Sequence, residues 1–96
     1  MAAFCFFDIL RIHDEEKMSL YREKVSDTVA QYQGRYLAIG GPCDVMEGNL
    51  QPTFTVLLEF PSLSEAHAWY NSDEYQSLKQ LRLSAVDSNA FFIQGF

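Results

Sequence analysis

The stretch TFTVLLEF, residues Thr53–Phe60, is followed at once by Pro61 and Ser62 and then by a helical pattern. Its eight residues are rich in β-branched and aromatic side chains and include one acid, Glu59. This composition is typical of a β-strand, and a Pro-Ser pair can end a strand and begin a helix. We therefore expect a strand that leads directly into a helix capped by Ser62 or Ser64.

The residues before this strand predict a partner for it. Arg35–Ile39 has the pattern of a short strand, and Gly40–Pro42 interrupts it because Gly and Pro break the hydrogen-bond ladder. A continuation at Asp44–Met46 stays open. Gly48–Pro52 then turns the chain into Thr53–Phe60, so the two strands should form a hairpin.

The N-terminal third of the chain predicts a strand and a helix. Ala3–Leu10 has apolar and aromatic residues at both odd and even positions, as in a strand that is covered on both faces. Asp14 can cap a helix that Gly34 ends. The apolar face of this helix recurs at steps of three and four residues, at Met18, Tyr21, Val25, Thr28, Val29 and Tyr32.

The C-terminal third predicts a broken helix and a last strand. The helix after Ser62 carries Leu63, Ala66, His67 and Tyr70 on one side and is interrupted at Asn71–Asp73. A second helical segment has one stripe made of Tyr75, Leu78, Arg82 and Ala85. We expect a turn at Asp87–Asn89 and a strand at Ala90–Ile93.

The resulting order, βαββαβ, predicts an α+β fold of the ferredoxin-like kind, with a four-stranded antiparallel sheet and both helices on one face. We expect residues 1–96 to form a single domain, since 96 residues leave no room for a second core. The strands are apolar on their other face as well, and that face must be covered. A second copy of the chain is the simplest cover, which gives a homodimer and a dimeric α/β barrel.

Charge and composition exclude several classes of partner. Thirteen acids against seven bases give a formal charge of −6, which repels nucleic acid and anionic membrane surfaces. No apolar run approaches the ~18 residues that a membrane span needs, and Met1–Leu10 lacks a basic leader and a cleavage pattern. We expect a cytoplasmic protein with Cys5 and Cys43 reduced. No motif for a metal or a cofactor is present.

The order and spacing of short motifs resemble a known family. The chain has Tyr32–Leu37, Gly40-Gly41, Met46–Gly48, Glu59–Ser62, Ala66, Trp69-Tyr70, Ser72, Glu74–Gln76 and Arg82. It is similar to the uncharacterised domain of unknown function 1330, within the dimeric α/β-barrel superfamily of ferredoxin-like fold. The chain departs from the family pattern at Gln33, which replaces a Gly, at Met18, which replaces a Tyr, and at Ile39, which replaces an Arg.

Arg82 is the most informative polar residue, because it shares its helical stripe with apolar side chains that should face the sheet. A buried guanidinium needs an acceptor, and only Asp8 and Glu59 lie inside the two neighbouring strands. One hypothesis is a polar pocket between the second helix and the sheet, with Arg82 binding a carboxylate or enolate oxygen and Glu59 or Asp8 moving a proton. The alternative is a structural ion pair, with Glu59 the favoured partner.

A set of aromatic and imidazole side chains could form the wall of such a pocket, or could simply pack in the core. These candidate ligand-binding residues are Tyr21, Tyr36, His67, Trp69 and Tyr75.

Two classes of function remain open. The resemblance implies a superfamily with cofactor-independent enzymes, so one hypothesis is an isomerase, cyclase, lyase or monooxygenase acting on a small hydrophobic or aromatic carbonyl compound. The other is a non-catalytic dimer that binds a small ligand or has a structural role. Binding or degradation of haem is a more remote alternative, for which His67 is the candidate ligand.

Overall fold

A computed structural model describes all residues 1–96 and shows seven secondary-structure elements. They are β1 (Ala3–Ile12), α1 (Glu15–Gln31), β2 (Arg35–Ile39), β3 (Phe54–Phe60), α2 (Leu63–Tyr70), α3 (Asp73–Ala85) and β4 (Val86–Gln94). The predicted βαββαβ ferredoxin-like order is confirmed, with the second helical unit divided into α2 and α3.

The four strands form one antiparallel sheet in the order β2-β3-β1-β4. The predicted hairpin is confirmed, since Arg35 pairs with Glu59 and Tyr36 with Leu58. The continuation at Asp44–Met46 does not exist: residues 41–53 contain no strand. Gly40 explains this, because its positive φ of 65° turns the chain out of the ladder.

Each helix begins at a capping side chain. The Asp14 side chain accepts a hydrogen bond from the Lys17 N–H at 3.1 Å, and Ser62 Oγ accepts from Glu65 N–H at the same distance. Ser72 Oγ caps α3 by accepting from Tyr75 N–H at 3.2 Å. These contacts satisfy N–H groups that have no partner inside the helix.

The last strand begins four residues earlier than predicted, and the expected turn at Asp87–Asn89 is wrong. Helix α3 ends at Ala85, and Val86 already has extended backbone angles, φ −139° and ψ 157°. The Ala85 carbonyl accepts hydrogen bonds from the N–H groups of His13 and Asp14, so the helix end is held by the two residues that connect β1 to α1. Pairing with β1 therefore draws three polar residues into β4.

The two faces of the sheet have different environments. Helices cover one face, where Cys5, Phe7 and Phe60 belong to the core. Side chains of the opposite parity lie on the other face, and there Phe91 and Ile93 are 55% and 57% exposed. The molecule measures 38 by 37 by 17 Å, as expected for one sheet with one layer of helices. None of the helices has both the length and the apolarity that crossing a bilayer requires.

Candidate functional site

A cavity of about 390 Å³ separates α1 from the covered face of the sheet, and we call it the central cavity. It exists because α1 packs mainly against α3 rather than directly on the strands. Most of its wall is apolar, and the lining residues are Phe7, Ile9, Met18, Tyr21, Arg22, Val25, Ser26, Tyr36, Ile39, Phe54, Val56, Leu58, Trp69 and Arg82. The central cavity thus lies beside the first helix, whereas the sequence patterns predict a pocket between the second helix and the sheet.

Three of the five candidate ligand-binding residues line this cavity, namely Tyr21, Tyr36 and Trp69. Tyr75 is fully buried and does not line the cavity, and its ring packs at a tilt against Trp69 with ring centroids 4.3 Å apart. His67 is exposed on α2, does not line the cavity and contacts Phe92 at the edge of the core. The structure therefore brings the aromatic candidates together and leaves the imidazole outside.

Arg82 is 2% exposed and lies at the cavity wall, as its helical stripe predicts. Its Nε donates to the Tyr75 hydroxyl at 3.4 Å, and its Nη1 donates to Ser88 Oγ at 3.1 Å. The Tyr75 and Tyr21 hydroxyls are 2.7 Å apart and share a hydrogen bond. Nη2 of Arg82 is buried and has no hydrogen-bond partner in the protein.

The prediction that Arg82 pairs with a carboxylate is wrong. Asp8 and Glu59 are both on the strands as predicted, but they lie on the sheet face opposite the helices. Asp8 is paired across β1 and β3 with Thr55, and Glu59 with Phe4, whereas core residues occupy the alternate positions. Strand periodicity of two therefore places both carboxylates away from Arg82.

Each of the two carboxylates has a partner of its own. Glu59 forms an ion pair with Arg35 at 2.6 Å, on the neighbouring strand and partly in solvent. Asp8 is 5% exposed, and its Oδ1 accepts hydrogen bonds from the Thr53 and Phe54 N–H groups at 3.0 and 3.1 Å. Asp8 thus holds the start of β3.

Burial dominates the electrostatics of the tyrosines at this site. It raises the pKa of Tyr36 to about 12, with a further increase from Tyr75, and it also raises the pKa of Tyr21. Burial alone would lower the pKa of Arg82, but the neighbouring hydroxyls of Tyr75 and Tyr21 reverse this and the net pKa is raised. At neutral pH the site therefore contains a full cation and neutral phenols.

Sequence reasoning missed two polar residues that support the site. Trp69 Nε1 donates to Thr28 Oγ1 at 3.0 Å, which fixes the indole ring. The second is Ser88, which accepts a hydrogen bond from Arg82 but which the sequence pattern places in a turn. A strand beginning at Val86 would have placed Ser88 on the helix-facing side of β4, so the missing signal was the start of the strand.

The central cavity can bind a flat apolar molecule and place one of its oxygens near a cation. Its titratable lining residues are Tyr21, Tyr36, Arg22 and Arg82, with no carboxylate or imidazole among them. Arg22 is half exposed and pairs with Glu15, so its charge is largely screened. The structure contains no group of three or more His, Cys, Asp or Glu side chains placed to hold a metal ion.

Solved structures share this architecture at low sequence identity. A protein of unknown function from Rhodopseudomonas palustris, RPA0582, has a TM-score of 0.75 at 14% identity, covering 99% of this chain and 83% of that one. A dimeric ferredoxin-like protein of unknown function from Jannaschia sp. CCS1 scores 0.67 at 11% identity, covering 99% and 100%. A protein from Nitrosomonas europaea, provisionally named an antibiotic biosynthesis monooxygenase, scores 0.55 at 10% identity, covering 99% and 89%.

These likenesses establish the fold and no activity. None of the curated proteins matches the chain. The model of a family described as a domain of unknown function, DUF1330, matches residues 2–96, which confirms the resemblance found in the sequence motifs. The chain therefore belongs to the DUF1330 family.

Proposed function

We propose that the protein binds a small hydrophobic or aromatic carbonyl compound in the central cavity and acts on it without a cofactor, as an isomerase, cyclase, lyase or monooxygenase. The observation that carries this proposal is an apolar cavity of about 390 Å³ with one buried guanidinium at its wall. Ligand sites of ~300–1,000 Å³ commonly combine apolar walls with a few polar groups.

Arg82 supplies the chemistry that these reaction types share. When a proton leaves the carbon next to a carbonyl group, negative charge develops on the carbonyl oxygen. A fixed cation in apolar surroundings stabilises that charge more strongly than water does. Because the lining has no carboxylate or imidazole, the departing proton goes to water, and the suitable substrates are compounds that enolise readily, such as 1,3-diketones.

The solved relative that is provisionally named a monooxygenase supports including oxygen-dependent reactions among those to be tested. Its identity of 10% supports a common fold and no more.

Deuterium exchange tests the proposal without knowledge of the final product. Benzoylacetone, an aromatic 1,3-diketone, is incubated with the protein in D₂O, and loss of the hydrogens between the two carbonyl groups is followed by NMR. We expect exchange at least tenfold faster than in buffer for the wild type and buffer-like exchange for Arg82→Met. Arg35→Met, which removes an exposed arginine on the far side of the sheet, is the matched control and should retain the activity.

Binding is measured separately through Trp69, the sole tryptophan, which is buried against the cavity. Quenching of its fluorescence by benzoylacetone should be saturable. Val25→Phe fills part of the cavity and should weaken binding, whereas Leu83→Phe, on the exposed side of α3, should not. Absence of both quenching and exchange contradicts the proposed function.

A non-catalytic ligand-binding protein is the second candidate. The absence of a carboxylate or imidazole from the cavity wall favours it, since general bases are usually such groups. Saturable quenching of Trp69 without accelerated exchange would support this candidate over the enzyme.

Haem binding is the remote candidate. His67, the only imidazole considered for it, lies outside the cavity. A Soret shift on adding haemin, lost in His67→Ala, would support it.

We also propose that the chain forms a homodimer through the open face of the sheet. Phe91 and Ile93 are more than half exposed there, and Phe6 stacks on Phe91 with centroids 5.0 Å apart. Exposed apolar patches of this kind mark interaction surfaces. Solved relatives from Jannaschia and Bacteroides fragilis are described as dimeric.

Sedimentation tests the dimer. We expect twice the chain mass of 11.0 kDa at micromolar concentration. A monomer under these conditions contradicts the proposal.

A further inference from the structure

Arg82 is a buried cation without a counter-ion. Its side chain is 2% exposed, and its two hydrogen-bonded partners, Tyr75 and Ser88, are neutral hydroxyl groups. The C-terminal end of α3 contributes only a partial negative charge nearby. Buried charges in proteins are ordinarily paired, because removing an ion from water is costly.

The charge of the cavity is opposite to that of the chain. Thirteen acids and seven bases make the protein negative overall, yet the cavity wall includes two arginines and no acid. Arg22 is already neutralised by Glu15 at the rim, so the uncompensated charge belongs to Arg82. Such an arrangement attracts an anion and disfavours a cation.

Arg82 also retains donor capacity. Nη2 is buried and makes no hydrogen bond within the protein, and an unsatisfied buried donor is rare in folded proteins. Tyr21, which also lines the cavity, shares its hydroxyl only with Tyr75. An oxygen with negative charge is the acceptor that best satisfies both the charge and the free donor.

We infer that the natural ligand of the central cavity is an organic anion with an apolar body, whose oxyanion, a carboxylate or an enolate, pairs with the buried Arg82. This rests on the proposed ligand-binding function of the cavity and adds the charge of the ligand. The apolar body would lie along Val56, Phe7 and Met18, with the oxyanion against the part of the wall that Arg82 forms.

The test compares two probes that share a ring system and differ in charge. Binding of 2-naphthoate and of 2-naphthamide is measured at neutral pH by quenching of Trp69 fluorescence. We expect the carboxylate to bind about tenfold to a hundredfold more tightly than the amide, as for a hydrogen bond to a charged group. In Arg82→Met the ratio should fall to near one, whereas Arg35→Met, which removes an exposed arginine on the far side of the sheet, should keep it.

Measurements on the wild type decide the inference even if Arg82→Met does not fold. Equal affinities for naphthoate and naphthamide, together with no increase in the ionised fraction of bound benzoylacetone, overturn it and leave the proposed cavity function standing. Failure of both probes to bind contradicts the proposed function, and the inference with it.

A second experiment asks whether the bound oxyanion is an enolate. It uses benzoylacetone, whose ionised form is recognised by its absorbance spectrum. An increased ionised fraction on binding, without preference for naphthoate, supports an enolate as the source of the oxyanion. Preference for naphthoate alone supports a carboxylate.

Discussion

Gln33 has a left-handed backbone conformation, with φ 63°. This conformation is energetically unfavourable for any residue that carries a Cβ atom. The Gln33 and Gly34 N–H groups donate to the carbonyls of Ala30 and Val29, which is the Schellman pattern at the end of a helix. The left-handed residue is thus Gln33, not the Gly34 that ends the helix in the sequence interpretation. We predict that Gln33→Gly raises the free energy of unfolding by about 1 kcal/mol, measured by urea denaturation.

Gly34→Ala serves as the control of opposite sign. A Cβ at Gly34 would lie 2.6 Å from the Phe60 ring and 2.8 Å from Val29, both buried. We expect a loss of about 1–3 kcal/mol from this overpacking. No gain in stability from Gln33→Gly would mean that its backbone conformation carries no cost.

Arg82 is retained at a cost to stability, since its Nη2 is buried and unsatisfied. We predict that Arg82→Met leaves the free energy of unfolding unchanged or raises it by about 1 kcal/mol, because no carboxylate is stranded by the change. Urea denaturation beside Arg35→Met, which breaks an exposed ion pair worth about 0–1 kcal/mol, provides the comparison. A loss of about 3–5 kcal/mol would instead indicate a stranded buried partner.

Buried phenol and thiol groups should make the fold sensitive to alkali. Burial raises the pKa of Tyr36 from 10.0 to about 12 and that of Cys5 from 9.0 to about 12. As the pH rises, the unfolded chain loses these protons before the folded chain does. The stability that the two groups contribute is therefore fully present below pH 9 and falls as the pH rises towards 12. We predict a decreasing midpoint of urea unfolding across this range and a shallower decrease in Tyr36→Phe. An unchanged midpoint would contradict the raised pKa values.

Among the elements, the connection between β2 and β3 depends on a strand outside it. Residues 40–53 have no regular structure, and Asp8 on β1 accepts the Thr53 and Phe54 N–H groups at their end. We predict that Asp8→Ala costs about 1–2 kcal/mol and speeds hydrogen exchange of these two amides, measured by NMR. Asp44→Ala, an exposed acid within the same segment, should change neither.

At the scale of the whole molecule, one layer of helices leaves half of the sheet uncovered. If the proposed dimer buries Phe91 and Ile93, then the folded state gains stability from association. We predict that the melting temperature rises with protein concentration and that Phe91→Arg lowers it and yields a monomer. Leu83→Arg, on the exposed side of α3, should leave the concentration dependence intact.

Local sequence patterns were sufficient to predict the order of elements, the cap at Asp14 and the burial of Arg82, and they narrowed the cap of α2 to Ser62 or Ser64. These follow from local periodicity: steps of three and four place Arg82 on the stripe of Tyr75 and Leu78, and Asp14 and Ser62 supply caps within one turn. The adjacency of β1 and β3 followed from the fold class. Such features depend on residues close together in the chain.

The contacts of Arg82 and the position of the cavity depend on tertiary packing that the sequence patterns do not predict. Asp8 and Glu59 lie on the predicted strands, but their side chains project from the sheet face opposite Arg82. A shift of one residue in register moves a side chain to the other face of a sheet. The space beside α1 arises because α1 rests on α3, a packing between distant parts of the chain. Contacts of this kind depend on register and on helix placement, which a local pattern does not encode.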